Sequence, residues 1–195
     1  MQEHNHRSKL SAKVAQVNAT HPSTVQVMTP EELRRMQKDG VSFILVDCRT
    51  EQERRVSGID CGALSIEEFE ENIDEIVARD DVLVVCHCTV GLRSGRFVVK
   101  HQNNVPRMYN LSGGILGWVD CGYEIWKPSA TLDGQQATKD LHVCCKSFLP
   151  LAPSEYTCFY FEEDRDVPYH KRVFRWVTLS PRSSSWDSKK TVCAH

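Results

Sequence analysis

Two features that would point to a membrane or a nucleic acid are missing from this 195-residue sequence. No apolar run approaches the roughly 20 residues that a membrane-spanning helix needs. An excess of one charge is also missing, because 24 basic and 26 acidic side chains leave a formal net charge of -2. That balance predicts neither nucleic acid nor an anionic membrane surface as a partner.

A secretory signal is also missing, because the first 26 residues lack the apolar core that such a signal requires. We therefore expect a cytoplasmic protein. Import into an organelle stays open as an alternative, since this stretch is poor in acids and carries Arg7, Lys9 and Lys13.

Cysteine is not scarce, but its nine positions form no regular framework. An odd number without a secretory signal favours reduced thiols, one of them reactive, over a disulfide scaffold. Two groups have spacings that suggest a metal, namely His4-x-His6 and His142-x-Cys144-Cys145. Neither supplies the four ligands of a structural zinc site, so we expect no metal and no cofactor.

Short apolar runs alternate with helical patterns between residues 23 and 128. Strands are predicted at 25–27, 43–46, 82–85 and 108–111, and helices at 31–38, 51–56, 66–78, 94–102 and 115–120. Ser94 is the predicted cap of the fourth helix. This alternation predicts an α/β domain with a central parallel sheet flanked by helices on both faces.

Three segments are predicted along the chain: a polar extension at 1–22, one domain at 23–145 and an aromatic-rich tail at 146–195. The extension is polar and aperiodic, so we expect it to be loosely ordered. The tail holds more than half of the aromatic residues. Packing on the domain, binding to a partner and poor folding all stay open for it.

Cys88 is the most informative residue of the sequence. It follows the apolar run 82–85 and precedes a predicted helix, so its sulfur is expected at a ring of backbone N–H groups near a helix N-terminus. That setting favours negative charge and can lower a cysteine pKa from about 8.5 to roughly 3.5–7.5. Ligands of parallel sheets bind at this end of the strands. The pattern predicts a nucleophilic thiolate, and a buried structural cysteine is the alternative.

Four segments of the sequence together resemble the rhodanese, or thiosulfate sulfurtransferase, family. They are C-x-x-G-x-R-S at 88–94, D-x-R-x-x-x-E at Asp47, Arg49 and Glu53, Gly62-Ala63, and the G-G-x-x-x-W-x-x-x-G segment at 113–122. The resemblance covers roughly residues 23–128. A departure lies at 57–63, where the histidine of the family's G-H-I-P-G-A stretch is missing and one residue is inserted.

The resemblance implies that the Cys88 thiolate attacks the outer sulfur of thiosulfate and keeps it as a persulfide. Arg93 would bind the anionic sulfonate and help to hold the thiolate. The implied partners are a small anionic sulfur donor and a thiol or thioredoxin-like acceptor, and we expect a monomer. The residues implied to bind the substrate through the loop are Thr89, Val90, Gly91, Leu92, Arg93 and Ser94.

Structural support is the role predicted for Asp47, Arg49 and Glu53. Arg49 and Glu53 lie four residues apart, which predicts a pair across one helical turn. Cys86 is predicted to be a packed thiol on the side of Cys88, and a disulfide between the two stays open. His87 is predicted to face away from the pocket.

Two other functions stay open. His87-Cys88 opens like the H-C-x5-R loop of phosphatases and arsenate reductases, but Arg93 comes one residue earlier than that pattern requires. The shorter loop favours sulfur over a phosphoryl group. A sulfur relay or regulatory module without turnover of its own would carry the same loop.

Overall fold

The described part of the chain is built around short apolar strands that alternate with capped helices. The structure is a computed structural model that describes residues 2–60, 62–79, 82–128 and 136–161. Its strands are β1 (Gln26–Met28), β2 (Phe43–Asp47), β3 (Leu83–His87), β4 (Met108–Leu111), β5 (Ile125–Lys127), β6 (Gln136–Thr138), β7 (Asp140–Cys145) and β8 (Thr157–Phe161). Its α-helices are α1 (Gln2–Asn18), α2 (Pro30–Lys38), α3 (Glu51–Val56), α4 (Ile66–Glu71), α5 (Ile73–Val77), α6 (Leu92–His101) and α7 (Gly114–Asp120), and a 3-10 helix spans Lys146–Leu151.

The central sheet has four parallel strands in the order β1-β4-β3-β2. Apolar side chains cover both of its faces. Helices α4, α5 and α6 contribute Phe69, Ile76 and Phe97 to one cluster with β2 and β3. Helices α1, α2 and α7 contribute to the cluster on the other face. The prediction of a parallel sheet with helices on both faces is therefore confirmed.

Local sequence signals account for the helix starts on which the fold depends. Helices α2, α3 and α4 each begin with a capping box, in which the side chain of Thr29, Thr50 or Ser65 accepts the N–H of a glutamate three residues later. The glutamate side chain returns a hydrogen bond to the cap, so two otherwise unpaired N–H groups are satisfied at each start. The predicted helix at 51–56 matches α3 in its bounds.

The prediction of one helix over 66–78 is wrong, because α4 ends at Glu71 and α5 starts at Ile73. Asn72 lies between them with φ -107° and ψ 12°, and its side-chain amide donates to the Glu68 carbonyl at 2.7 Å. Asparagine side chains compete in this way with backbone hydrogen bonds. The apolar spacing continues across Asn72 and therefore hides the break.

The expectation that residues 1–22 are loosely ordered is also wrong. Helix α1 runs over Gln2–Asn18 and buries Leu10 and Val17 in the core. Val14 packs against the same cluster, so α1 has an apolar stripe of three residues at spacings of four and three. Most of the remaining side chains on α1 are polar, and the stripe is too sparse to stand out in the sequence.

The segment after the sheet continues as an ordered extension, which we define as residues 136–161. Strands β7 and β8 pair in parallel, with Leu141 opposite Cys158. Leu141, Val143 and Tyr156 are buried in the cluster that α1 and α7 share. The boundary predicted at 145 falls between these two paired strands and stays a prediction. Tyr169, Phe174, Trp176 and Trp186 of the predicted tail lie outside the described residues.

Candidate active site

Cys88 lies directly after β3, at the carboxyl end of the parallel sheet, and precedes α6. Its thiol is buried, with 1% of the residue exposed. The Gly91 N–H donates to Cys88 Sγ at 3.2 Å. Gly91 has φ +98°, a left-handed conformation that glycine adopts at no steric cost, and this turn brings its N–H back to the sulfur. The sulfur therefore faces the N-terminal turn of α6.

The loop makes the Cys88 thiol more acidic than an ordinary cysteine. Burial by itself would raise its pKa, but the Arg93 charge, the Ser94 side chain and the backbone N–H groups of Ser94 and Val90 together outweigh burial. The pKa of Cys88 consequently lies below its usual value. This lowering supports the predicted thiolate, because only the ionised sulfur is a strong nucleophile.

Helix α7 and its preceding turn hold the carbonyl side of the Cys88 loop. The N–H groups of Ile115 and Leu116 donate to the carbonyls of Cys88 and Thr89 at 2.9 and 3.1 Å. Gly114, with φ +53°, lies so close to the loop that a β-carbon there would be 2.2 Å from the Cys88 carbonyl oxygen. The Gly113-Gly114 pair indicates a turn in the sequence, but its contact with Cys88 depends on tertiary structure.

Substituting Gly114 with alanine is expected to displace the Cys88 loop. The new methyl group would meet backbone atoms of Cys88 and Thr89, and φ would stay positive. We expect a loss of about 2–4 kcal/mol in the free energy of unfolding and slower alkylation of Cys88. Gly122→Ala is the matched control, because Gly122 has φ +77° with open space around it. Equal effects of the two substitutions on unfolding and alkylation would contradict the contact.

Asn110 is a loop-supporting residue that the sequence analysis missed. Its side-chain amide donates to the Gly91 carbonyl at 3.0 Å, and its oxygen accepts the Ser94 hydroxyl at 2.6 Å. The prediction that Ser94 caps the helix is wrong, because α6 starts at Leu92 after Gly91. Asn110 reaches both residues because β4 is the neighbour of β3 in the sheet. His21 Nε2 also lies 3.1 Å from the Gly91 carbonyl oxygen.

Arg93 is held against the loop by Glu53. Its two terminal nitrogens donate to the Glu53 carboxylate at 2.6 and 2.8 Å, and one of them also donates to the Thr89 hydroxyl at 2.9 Å. Glu53 is completely buried, whereas the Arg93 side chain is 26% exposed. The structure therefore places Arg93 beside the loop, and its predicted contact with a sulfonate stays a prediction.

Arg49 does not pair with Glu53, so this predicted pair is wrong. Arg49 precedes the capping residue Thr50 and is not on helix α3, which removes the geometry of one helical turn. Its guanidinium donates instead to both Asp47 oxygens, with a shortest distance of 2.7 Å, and to the Ser57 carbonyl at 2.6 Å. Asp47 and Arg49 are both buried, and they join the end of β2 to the turn after α3.

The remaining predicted loop residues lie around this arrangement. Val90 is buried in the cluster that also contains β7 and β8, and Leu92 is half-buried against it. Cys86 is buried with Cys48 and Cys88 in the cluster on the opposite face of the sheet.

Within the described residues no group of three His, Cys, Asp or Glu side chains could hold a metal ion. No described helix is long and apolar enough to cross a membrane.

His87 is a buried histidine whose ring nitrogens have no hydrogen-bond partner among the described residues. Its Nε2 lies 3.6 Å from an Asp47 oxygen. Burial is the main cause that lowers its pKa, and the Arg49 and Arg54 charges add to it. The Asp47 carboxylate opposes them, and the pKa of His87 is about 4. His87 is therefore neutral at physiological pH.

We expect the protein to lose stability as the pH falls from about 6.5 toward 4. The unfolded chain binds a proton at residue 87 below its ordinary pKa of 6.5, whereas the folded chain does so only near 4. This difference in pKa corresponds to a loss of about 3 kcal/mol in the free energy of unfolding between pH 6.5 and pH 4. Urea unfolding at pH 7 and pH 4 measures this change, and His87→Leu should reduce the pH dependence. An unchanged dependence in that variant would exclude His87 as the source.

The parallel sheet and the N–H-lined cysteine loop at its carboxyl end define an α/β protein with an anion-stabilising cysteine site. The family model for the rhodanese-like domain matches residues 29–121. Residues 29–121 therefore form a rhodanese-like domain. No curated protein matches the chain.

Several solved structures are similar to part of this chain. A rhodanese-related protein from Thermoplasma volcanium is 22% identical, with a TM-score of 0.43, over 51% of this chain and 96% of its own. A thiosulfate sulfurtransferase from Pseudomonas aeruginosa is 18% identical, with a TM-score of 0.47, over 62% of this chain and 23% of its own. A protein from Rhodopseudomonas palustris, described as a possible tyrosine phosphatase, is 22% identical, with a TM-score of 0.41, over 58% of this chain and 91% of its own.

Proposed function

We propose that this protein is a thiosulfate sulfurtransferase that transfers sulfane sulfur through a persulfide on Cys88. The observation that carries the proposal is the Cys88 sulfur, which accepts the Gly91 N–H at 3.2 Å and has a lowered pKa. The lowered pKa increases the fraction of thiolate, which is the nucleophilic form of cysteine, and the N–H groups of the loop stabilise negative charge on a sulfur bonded to it.

The first half-reaction forms one sulfur–sulfur bond and breaks another. The Cys88 thiolate attacks the outer sulfur of thiosulfate, and the bond between the two thiosulfate sulfur atoms breaks. Its electron pair leaves with sulfite, so the total charge is conserved and the outer sulfur stays on Cys88 as a persulfide anion. We propose that backbone N–H groups of the loop surround this anion. They belong to Thr89, Val90, Gly91, Leu92, Arg93 and Ser94.

The second half-reaction restores the thiolate. A thiophilic acceptor attacks the outer persulfide sulfur, takes it up, and returns the bonding electron pair to Cys88. Cyanide serves as the acceptor in the test tube, where the product is thiocyanate. A cellular thiol or a thioredoxin-like protein is the acceptor that we propose in the cell.

The position of Arg93 supports sulfur transfer over phosphate hydrolysis. A phosphatase of this loop type needs a guanidinium that clamps the oxygens of a bound phosphoryl group. Here both terminal nitrogens of Arg93 are engaged by Glu53, and one of them also by Thr89. Arg93 also follows Cys88 by five residues instead of six, which shortens the loop by up to about 3.5 Å of chain.

A single-turnover experiment tests the proposal. The protein is mixed with thiosulfate without an acceptor, and we expect about one sulfite per chain and a mass gain of one sulfur atom. Fragmentation must place that sulfur, because a tryptic peptide with Cys88 also contains Cys86. Adding cyanide should then release thiocyanate. No persulfide in the folded protein, together with hydrolysis of an aryl phosphate, would overturn the proposal.

A sulfur relay gives a different result in the same experiment. The persulfide would form from a protein donor or another persulfide but only slowly from thiosulfate, and multiple turnover with cyanide would be poor. That outcome would keep Cys88 as the sulfur carrier and replace thiosulfate as the donor.

A further inference from the structure

The N-terminal segment reaches the candidate active site from outside the matched domain, which begins at residue 29. Helix α1 ends at Asn18, and in the turn that follows the His21 N–H donates to the Asn18 carbonyl at 3.2 Å. The His21 Nε2 lies 3.1 Å from the carbonyl oxygen of Gly91, the residue that precedes α6. Because a carbonyl oxygen only accepts, Nε2 carries the proton and donates. His21 therefore binds the backbone of the Cys88 loop directly.

A notch in the surface of α6 fits the His21 imidazole. Gly95 lies inside α6, and a β-carbon there would be 2.2 Å from the Nε2 of His21 and 2.4 Å from its Cε1. Glycine is a poor helix former, and Gly95 is not among the glycines with positive φ, so neither propensity nor backbone conformation accounts for it. The missing β-carbon at residue 95 makes room for the imidazole.

The Gly91 carbonyl accepts three hydrogen bonds from different parts of the chain. The Gly95 N–H and the Asn110 side-chain amide each donate to it at 3.0 Å, and His21 is the third donor. The peptide group is planar, so the carbonyl of Gly91 and the N–H of Leu92 point in opposite directions. Donors that hold the carbonyl therefore also fix the Leu92 N–H, one of the N–H groups that a helix N-terminus leaves without an intrahelical partner.

We infer that His21 is a positioning residue of the Cys88 site, which holds the Gly91–Leu92 peptide so that the N–H groups at the start of α6 stay directed at the sulfur. The inference rests on the proposed function of Cys88 as the nucleophile. A hydrogen bond accepted by a carbonyl polarises its peptide group and strengthens the hydrogen bond that the N–H of the same group donates. Through His21, the N-terminal segment supplies a part of the site that the matched domain does not contain.

Three substitutions of His21 separate positioning from packing. His21→Leu fills much of the same space and removes both nitrogens. His21→Gln places an amide nitrogen near the position of Nε2, whereas His21→Asn places it near Nδ1, too far back to reach the Gly91 carbonyl. Should the leucine variant fail to fold, the glutamine and asparagine variants still differ in whether an N–H reaches Gly91.

The readout is the pH dependence of Cys88 alkylation by iodoacetamide, which reports the thiolate without requiring turnover. Fragmentation of the alkylated peptide separates Cys88 from Cys86. For His21→Leu and His21→Asn we expect the midpoint to rise by about 0.5 and the rate below the midpoint to fall about threefold, within the range for loss of one hydrogen bond. His21→Gln should stay close to the wild type. Arg93 and the Cys48 thiol, which face Cys88, are the same in all these variants.

Gly95→Ala tests the same hydrogen bond from the other side. The new methyl group would occupy the place of the imidazole, so the ring must turn away and lose its contact with Gly91. We expect a rise in the midpoint like that of His21→Leu. Combined with His21→Ala, the Gly95→Ala substitution should add no further rise, because the hydrogen bond is already absent. Fully additive rises would overturn the inference.

His6→Leu is the matched control. His6 belongs to the same N-terminal segment, and its Nε2 lies 2.9 Å from an Asp120 oxygen. Asp120 is at the far end of α7 from Gly114, about 9 Å along the helix. The substitution should lower stability by loosening α1 and leave the alkylation profile unchanged.

Two results would overturn the inference even if Cys88 still transfers sulfur. One is an equal profile for wild type, His21→Leu and His21→Asn. The other is an equal rise in His6→Leu, which would assign the effect to the attachment of α1 as a whole. Absence of sulfur transfer together with the expected rises would overturn only the proposed function.

Discussion

Replacing Cys88 with serine is expected to abolish thiocyanate formation from thiosulfate and cyanide. We expect the rate to fall at least about 10³-fold, because the nucleophile itself is lost. A serine hydroxyl is not ionised at neutral pH and cannot carry a persulfide sulfur. The features that lower the pKa of the thiol, namely the Arg93 charge and the loop N–H groups, would have no acidic group to act on. Steady-state thiocyanate formation at several thiosulfate concentrations measures the loss.

Cys86→Ser is the control for this experiment. Cys86 is buried on the same side of β3, two residues before Cys88, and belongs to the same cluster. Its substitution places a hydroxyl in an apolar environment and should cost about 1–3 kcal/mol of stability, with turnover retained. If turnover survives in Cys88→Ser and is lost in Cys86→Ser, the nucleophile is Cys86 and the proposal for Cys88 is wrong. The folded state of each variant is checked by its urea transition.

Local signals predicted most of the sheet and little of what surrounds the site. Strands β2 and β4 and helix α3 follow from apolar runs, capping residues and glycines that lie within a few positions of each other. The break at Asn72 was missed because a side-chain hydrogen bond to Glu68 interrupts a helical pattern that continues in the sequence. Local propensity cannot show whether the helical pattern or the side-chain hydrogen bond of the asparagine prevails.

The residues that support Cys88 come from distant parts of the chain. Glu53 meets Arg93 across 40 positions, and Asn110 reaches Gly91 only because β4 neighbours β3. The motif at 88–94 indicates the loop but not these partners. Thr50 and Glu53 form a capping box, and that signature could have placed the Glu53 carboxylate at the start of α3.

Asp47→Asn is expected to cost about 3–5 kcal/mol in the free energy of unfolding, the cost of removing one partner of a buried ion pair. The Arg49 side chain is fully buried and that of Asp47 is 3% exposed. Asp47 accepts from the Arg49 guanidinium at 2.7–3.1 Å and from the Arg49 N–H at 3.1 Å. An asparagine keeps the shape, but it removes the negative charge and turns N–H groups toward a guanidinium that stays charged in the interior.

The pH dependence distinguishes this ion pair from simple packing. Burial alone would raise the pKa of Asp47, but the Arg49 charge and its hydrogen bonds outweigh burial and hold it below the usual value. The stabilisation is therefore present above the unfolded-state pKa of about 3.9 and is lost as the pH falls through the folded-state value. Urea unfolding of wild type and variant should show the full difference at pH 7 and a smaller one below pH 4.

Glu51→Gln is the control for the charge, since Glu51 pairs with Arg55 on the surface with both side chains at least 70% exposed. We expect less than about 1 kcal/mol from that change, because water and salt screen an exposed pair. A loss in Asp47→Asn as small as in the control would mean that the buried pair does not stabilise the end of β2. A large loss that persists unchanged below pH 4 would assign the effect to shape instead of charge.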